Sequence, residues 1–240
     1  MRQSGYSRVC QASGGNRGVD VEAKVKEEKP ARKQQQRSIK TKQKLLDAAI
    51  EAFSENGFKG TSTRDIAERA GVHHPLITYH FKNKEALWRA AADRIFSKFN
   101  ASMGQALQEV INECPRTRMA MMIRTYVRYA ASQPALHKVM VQEASHPSTR
   151  LDWLIETYLR PLFEVSVKNI KELQDAGLAP QGNPAILFNM IRVSSGGLIA
   201  LGHELKGTSG IDLEAPGTID ELSDMIVDVF LPENAAQQSD

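Results

Sequence analysis

The sequence predicts an all-helical protein. From Ile39 onward, large apolar residues recur every three or four positions, which is the period of an amphipathic helix. No stretch alternates convincingly between apolar and polar residues, as an exposed strand would. Glycines, prolines and capping residues divide the pattern into about nine helices, two of them short and close to the start.

The chain begins with a basic segment of low hydrophobicity. Residues 1–36 hold almost no large apolar side chains, so we expect them to form a disordered N-terminal arm. Residues 1–44 carry twelve Lys and Arg against four acidic residues, a net charge of +8. The rest of the chain holds 19 basic and 24 acidic residues and has a net charge of −5. A basic end would attract a polyanion; a solvated tail without a partner is the alternative.

The first helices are bounded by recognisable residues. An apolar stripe defines the first, which Gly57 should end. Ser62 is a candidate N-cap for a short second helix, with Asp65 three residues on, and Gly71 breaks that helix. A third helix is predicted over roughly 74–80. The stripe of the first helix comprises Leu45, Leu46, Ala49, Ile50 and Phe53.

The remaining helices are longer. The fourth begins near Asn83 and runs out near Cys114 and Pro115. Others are predicted at roughly 116–132, 135–145 and 149–176, the last kinked at Pro161. Asn183 and Pro184 should open a helix to about Lys206. Residues 218–221 resemble a capping box for a last helix ended by Pro232, and 233–240 should be a flexible tail.

Several protein classes are disfavoured. The two cysteines, Cys10 and Cys114, form no CxxC motif, which favours a reducing cytoplasm without a disulfide framework or zinc site. The start has no apolar signal region, and the apolar run 185–201 contains Asn189 and Arg192, so we expect no membrane span. Because no catalytic motif or cofactor-binding loop is present, we expect neither an enzyme nor a cofactor.

Residues 61–85, TSTRDIAERAGVHHPLITYHFKNKE, predict a helix-turn-helix. Gly71 suits the left-handed backbone of a tight turn, and Ala67 is small enough for two helices to approach closely. Val72 and Ile77 would be buried between them. Polar and aromatic groups would then face outward, where they could contact a groove and phosphates: Thr63, Arg64, His73, His74, Thr78, Tyr79 and His80. Adjacent helical histidines diverge by about 100°, so His73 and His74 predict no metal site.

The run from Ile39 to about Ala92 resembles the DNA-binding domain of the tetracycline-repressor (TetR) family of bacterial regulators. The resemblance rests on the first stripe with Gly57-Phe58, on Thr61 to Ala67, on Ala70-Gly71-Val72 and on Tyr79-His80-Phe81 followed by Lys84 to Leu87. It implies a DNA-binding domain at 37–92 and a helical regulatory and dimerisation domain at 93–232.

The resemblance also implies roles for single residues. Thr63, Tyr79, His80 and Lys84 match positions that usually hold DNA phosphates. His73, His74, Pro75 and Thr78 fall where base-reading side chains usually lie. The family often has Ser or Thr at the position of His73 and Tyr at that of Thr78, so the operator sequence is not implied. Arg32, Lys33 and Arg37 could enter an adjacent minor groove; non-specific attraction and solubility are the alternatives.

The regulatory domain holds candidate ligand-binding residues. Glu143 and Arg150 could fix the polar end of a small molecule while Trp153 and Tyr158 stack on its body. A structural Glu–Arg pair closing the turn between two helices is an equal alternative. Weaker candidates are Tyr126, His137, Asn189 and Arg192. Methionines at 119–122 and Met140 could line a cavity or fill the core.

Two glycines within the run 194–197 of a predicted helix indicate a close approach. We expect it at a two-fold interface made by the 184–206 and 218–231 helices, with ligand contact as the alternative. The sequence thus predicts a homodimeric repressor that leaves a palindromic operator when a small molecule binds. An architectural DNA-binding protein without a ligand is the rival hypothesis, and a filled core would favour it.

Overall fold

The computed structural model describes residues 21–232, with side chains described from residue 32. Helices are the only regular secondary structure over that range, which confirms the predicted fold class. The first twenty residues and the predicted tail at 233–240 lie outside it. Residues up to Thr41 form one unit and those from Lys42 a second.

The disorder expected of residues 1–36 stays a prediction, while the described part of that segment is helical. Helix α1 spans Val21–Gly60, so residues 21–36 are helical. Ala, Glu, Lys, Arg and Gln dominate this segment, and these residues have high intrinsic helix propensity. Because this segment has few apolar side chains, it cannot pack into a hydrophobic core, and the side chains of residues 32–37 are exposed. A helix nevertheless needs only its own backbone hydrogen bonds.

The helix-turn-helix begins where α1 leaves helical geometry at Gly57, with φ 68° and ψ 178°. The buried Thr61 hydroxyl donates to the carbonyls of Ala52 and Gly57 at 3.0 and 2.8 Å, which fixes the following turn. Helix α2 spans Thr63–Arg69, and α3 spans Pro75–Phe81. Ser62 and Asp65 form the predicted capping box, and Gly71 has the predicted positive φ, 63°.

Eight further helices follow within the described residues. They are α4 Lys84–Glu109, α5 Pro115–Ser132, α6 Ala135–Ala144, α7 Thr149–Leu154, α8 Arg160–Asp175, α9 Pro184–Ala200, α10 Gly202–Ser209 and α11 Thr218–Phe230. A π-helical turn, Ile155–Leu159, joins α7 to α8. It lies just before Pro161, which cannot donate a backbone hydrogen bond, so the predicted kink takes the form of a widened turn.

Two predicted details near the C-terminus are wrong. The helix expected to reach Lys206 ends at Ala200, and α10 leaves at an angle of 75°. Gly202 begins α10, and a Cβ there would lie 3.3 Å from a terminal methyl carbon of Leu213. The capping box at 218–221 does not form. Gly217 occupies the N-cap with φ 87°, which places Thr218 inside the helix.

Two apolar clusters hold the second unit together. One joins α1, α2 and α3 to α4, α6 and α7 around Phe53, Trp88 and Leu154. The other joins α5, α8, α9 and α11 around Val127, Leu173 and Val227. Because the first cluster continues through α4, the helix-turn-helix packs directly on the regulatory helices. The domain division at residue 92 stays a prediction.

No single described helix has both the length and the apolar character needed to cross a membrane. By length and composition alone, the bent pair α9 and α10 passes the same test jointly.

Candidate nucleic-acid interface and ligand cavity

The buried side of the helix-turn-helix determines which residues it exposes. Ile66 and Ala67 of α2 and Ile77 and Phe81 of α3 are buried against α1 and α4. The Val72 amide donates to the Ala67 carbonyl at 3.0 Å, which closes the turn between α2 and α3. The opposite face of α3 is consequently free of intramolecular packing.

Most of the predicted DNA-contact residues are exposed. Pro75, Thr78 and Tyr79 lie on α3, His73 and His74 lie directly before it, and Arg64 lies on α2. The Tyr79 side chain has 76% of its surface exposed, which is unusual for an aromatic residue. Pro75 occupies the first turn of α3, where its missing amide costs no helical hydrogen bond.

A side-chain hydrogen bond between Thr63 and His74 connects α2 to the start of α3. Thr63 Oγ1 and His74 Nε2 lie 2.9 Å apart, although eleven residues separate them in the chain. One edge of the His74 ring is therefore already committed to a hydrogen bond. The other residues of the exposed face are available to a partner.

His80 and Lys84 lie deeper than the resemblance implied. Both are half-buried. Burial lowers the pKa of His80, helped by the nearby Lys42 charge. Burial also lowers the pKa of Lys84, helped by Arg150, and the Lys84 Nζ lies 4.4 Å from the centre of the Phe58 ring. In this structure the Lys84 ammonium is directed at the core, and its predicted phosphate contact is untested.

Two exposed lysines lie beside this face. Lys42 of α1, which is absent from the predicted contact residues, lies with its Nζ 5.7 Å from the centre of the Phe81 ring, at the C-terminal end of α3. Lys82, which the sequence places with Asn83 and Lys84 at a phosphate-binding helix start, follows α3 directly. Its position as a basic residue next to an already identified face is the signal that could have found Lys42.

Lys82 adopts a strained backbone at the junction between α3 and α4. Its φ is 66° and its ψ −56°, a region that side-chain-bearing residues rarely occupy. The Asn83 amide donates to the Phe81 carbonyl at 2.8 Å, which makes a γ-turn. The Asn83 side chain then accepts from the Ala86 amide at 2.8 Å and caps α4. Two residues, Lys82 and Asn83, therefore connect α3 to α4.

Three predicted ligand residues, Glu143, Arg150 and Trp153, instead join the helix-turn-helix to the regulatory helices. Arg150 pairs with the buried Glu143 at 3.1 Å, and its guanidinium lies 3.9 Å from the centre of the Phe58 ring. Trp153 packs edge-to-face on Trp88 of α4, with ring centres 6.1 Å apart. These contacts match the alternative prediction, a structural Glu–Arg pair. Glu143, Arg150 and Trp153 do not line the cavity described next.

A cavity of about 380 Å³ lies among α4, α5, α6, α8 and α9. Three predicted ligand residues line it: Tyr126, Tyr158 and Arg192. Met119, Met122 and Met140 do so as well, so these methionines border the cavity rather than only filling the core. Six lining residues belong to α4: Phe96, Phe99, Asn100, Met103, Gly104 and Leu107.

The two tyrosines differ in how they are held. Burial raises the pKa of Tyr126 to about 12, and its ring packs against Phe99. Tyr158, on the π-helical turn, stacks on Phe96 and donates its hydroxyl hydrogen to Asp93, both on α4. Burial and then the bond to Asp93 raise the pKa of Tyr158 to about 12. Tyr158 therefore links the cavity to α4.

His137 lies behind the cavity wall, against Gly196. A Cβ on Gly196 would lie 1.7 Å from His137 Cε1, so only glycine fits at this position. The ring centre of His137 is 5.4 Å from that of Tyr126. Burial, followed by the Arg192 charge, lowers the pKa of His137 to about 4. The close approach expected of the glycine pair is thus an intramolecular one, and His137 does not belong to the cavity lining.

The outer faces of α9 and α11 remain apolar and exposed. Ile186, Met190 and Val193 of α9 have 60%, 51% and 58% of their surface exposed. Met225 and Val229 of α11 have 60% and 65% exposed. These spacings place each set along one side of its helix. Exposed apolar stripes of this kind are typical of a protein–protein interface.

The sequence matches known proteins in the region of the helix-turn-helix. Residues 45–91 match the family model described as "Bacterial regulatory proteins, tetR family". The "Probable HTH-type transcriptional regulator YttP" of Bacillus subtilis (strain 168) is 25% identical over 121 residues, 50% of this chain and 58% of that protein. The tetracycline repressor protein class D of Escherichia coli is 28% identical over 123 residues, 51% of this chain and 54% of that protein. The match thus spans little more than half of these relatives.

The fold matches over a longer range. The crystal structure of AibR in complex with isovaleryl coenzyme A and operator DNA aligns with a TM-score of 0.63 at 16% identity. The alignment covers 80% of this chain and 98% of AibR. At that identity the similarity establishes the fold alone.

Proposed function

We propose that this chain, whose residues 45–91 match the tetR family of bacterial regulatory proteins, is a dimeric transcriptional repressor that a small molecule releases from a palindromic operator. The observation that carries the proposal is the exposed side of α3 and of the turn before it, where Thr78 and Tyr79 project from a helix buried on its other side and His73 projects from the turn. Such a helix fits the major groove, and its polar side chains can reach base edges.

The charges around α3 support DNA as the partner. Exposed Arg64 and Lys82 flank the helix, and Lys42 lies near its C-terminal end. Cations at the edge of a recognition helix neutralise phosphates and fix its position on the duplex. Thr63 and His74 stiffen the unit, so less ordering is required when DNA binds.

The apolar stripes on α9 and α11 support a homodimer. Two copies that pair these faces around a two-fold axis would bury Ile186, Val193 and Val229. A two-fold dimer presents its recognition helices about 34–36 Å apart, one turn of the duplex, to the two halves of a palindrome. The first interface helix, predicted over residues 184–206, is therefore α9, which ends at Ala200.

The cavity supports the proposal that a small molecule releases the protein from DNA. The rival hypothesis, an architectural DNA-binding protein without a ligand, is disfavoured, because it would have been favoured by a filled core. Six of its lining residues are on α4, and α4 is joined to α3 by the short turn at Lys82. An occupant that shifts α4 would therefore change the separation of the two recognition helices. AibR, a structural neighbour, is known in complex with both operator DNA and isovaleryl coenzyme A.

Selection of binding sites from source-genome DNA tests the proposal. We expect the full-length protein to enrich a palindrome whose affinity falls steeply between two salt concentrations. His73→Ala should weaken binding to the selected site, and His203→Ala, an exposed histidine on α10, is the matched control that should not. Enrichment of no sequence, with binding that depends on charge alone, would contradict the proposal.

A second experiment tests the dimer. Val193→Asp places a charge in the apolar stripe of α9 and should produce a monomer in sedimentation analysis. Val141→Asp, which alters an equally exposed valine on α6, is the control and should leave the dimer intact. A dimer that survives Val193→Asp would place the interface elsewhere.

A further inference from the structure

The wall of the cavity has an unusual charge composition. Of its 24 lining residues one is charged, Arg192 of α9, and none is an aspartate or glutamate. The rest are mainly aromatic, aliphatic and methionine side chains, with a few neutral polar groups. Such a cavity has one cationic position and no group that could pair with a ligand cation.

Arg192 has no acidic partner among the side chains that the structure describes. Its only side-chain hydrogen bond there runs to Asn189 Oδ1, at 3.3 Å. The side chain is half-buried, and its charge acts on two buried neighbours: burial raises the pKa of Tyr126 with Arg192 opposing that rise, and burial lowers the pKa of His137 with Arg192 adding to that fall. A partly desolvated guanidinium without a counter-ion is costly, and an anion placed against it recovers that cost through charge-assisted hydrogen bonds.

The remaining wall fits a flexible hydrocarbon. Four methionines, at positions 103, 119, 122 and 140, line the cavity together with Phe96 and Phe99. Methionine side chains adapt to the shape of an apolar partner. A volume of about 380 Å³ lies in the usual range of small-molecule pockets, roughly 300–1,000 Å³. The exposed lining residues lie on α4, on the π-helical turn and on α8, so the entrance is bordered by these three elements: Asn100, Gly104, Thr157, Pro161, Val165 and Asn169.

We propose that the cavity binds an apolar monoanion of the carboxylate class, of medium chain length, whose head group pairs with Arg192. The hydrocarbon body lies against the methionines and against Phe96 and Phe99 of α4. The inference rests on the proposed function only in taking this cavity as the effector site.

Calorimetric binding to the full-length, DNA-free protein tests the inference with three probes of equal chain length: decanoate, decanol and decylamine. We expect decanoate to bind most tightly and decylamine not to bind. Arg192→Gln should weaken decanoate binding by at least about ten-fold, the value of a hydrogen bond to a charged group, and leave decanol binding unchanged. Arg192→Lys should retain part of the affinity, because it keeps the charge.

Arg128→Gln is the matched control, since Arg128 is an exposed arginine on α5 that pairs with Asp220 outside the cavity. It should bind decanoate like the unchanged protein. Equal affinity for decanoate and decanol, binding of decylamine, binding of none of the three, or an Arg192→Gln variant that binds decanoate normally would each overturn the inference.

Operator affinity, measured with and without decanoate, keeps the two proposals separate. Decanoate that binds through Arg192 but leaves operator affinity unchanged supports the ligand class and contradicts ligand-induced release. A protein that binds its operator but discriminates none of the probes by charge contradicts the ligand class alone.

Discussion

Replacement of Gly196 by alanine tests the packing behind the cavity. Gly196 lies in the middle of α9, where it is buried against the edge of the His137 ring. An alanine Cβ would lie 1.7 Å from His137 Cε1 and 2.0 Å from Nε2. Ordinary van der Waals contact needs about twice that separation, so the ring must move by more than an ångström. His137 is itself buried and packed on Tyr126, which leaves it little room.

The expected cost is the difference between two effects. Overpacking in a well-packed core costs about 1–3 kcal/mol, and an overlap of this size belongs at the upper end. Replacing a mid-helix glycine by alanine contributes about 1 kcal/mol in the opposite direction. We therefore expect Gly196→Ala to lower the free energy of unfolding by about 2 kcal/mol.

Urea unfolding at one fixed protein concentration measures this change, since the stability of a dimer depends on concentration. Gly104→Ala in α4 is the control, because no atom lies within 4 Å of its added Cβ; it should raise stability by up to about 1 kcal/mol. Combining Gly196→Ala with His137→Ala should recover part of the loss, because the methyl group enters space that the ring has left. A Gly196→Ala protein as stable as the unchanged one would refute the reasoning.

Three further predictions concern single side chains. The pKa of His137 is about 4 in the folded protein and near 6.5 in the unfolded chain, so only the unfolded chain takes up this proton between these values. Lowering the pH through this window should therefore lower the free energy of unfolding by roughly 3 kcal/mol. A His137→Ala protein should not show this loss, and equal pH profiles of the two proteins would contradict the prediction. Lys82→Gly should raise stability by about 1 kcal/mol in thermal unfolding by relieving the positive φ, whereas Lys82→Ala should not. Arg150→Met strands the buried Glu143 carboxylate and should cost about 3 kcal/mol, largely restored by adding Glu143→Gln, as urea unfolding of the single and double variants would show.

Several elements that local sequence controls were predicted correctly, although the equally local capping box at residues 218–221 was not. The capping of α2 at Ser62, the positive φ of Gly71 and the start of α4 near Asn83 each depend on residues within four positions. The same holds for the periodic stripe of α1. Local patterns therefore sufficed to identify the helix-turn-helix and its exposed face.

Features that depend on distant contacts were not predictable in this way. His137 and Gly196 meet across the fold, and Arg150 meets Phe58 from another helix. The spacing of residues in the sequence does not predict such distant pairs. The sequence alone therefore did not decide whether Glu143 and Arg150 bind a ligand or form a structural pair. Arg192, among the weaker candidates, lines the cavity. The helix over residues 21–36 was missed because a lack of apolar residues excludes a core but not a helix.

A footprint of the selected operator, combined with the number of chains bound to it, tests the central claim most directly. We expect two chains per site and two protected major-groove half-sites with centres about 34–36 Å apart, and we expect Tyr79→Ala to weaken both protections equally. A single protected half-site, one chain per operator, or protection that Tyr79→Ala leaves unchanged would contradict it.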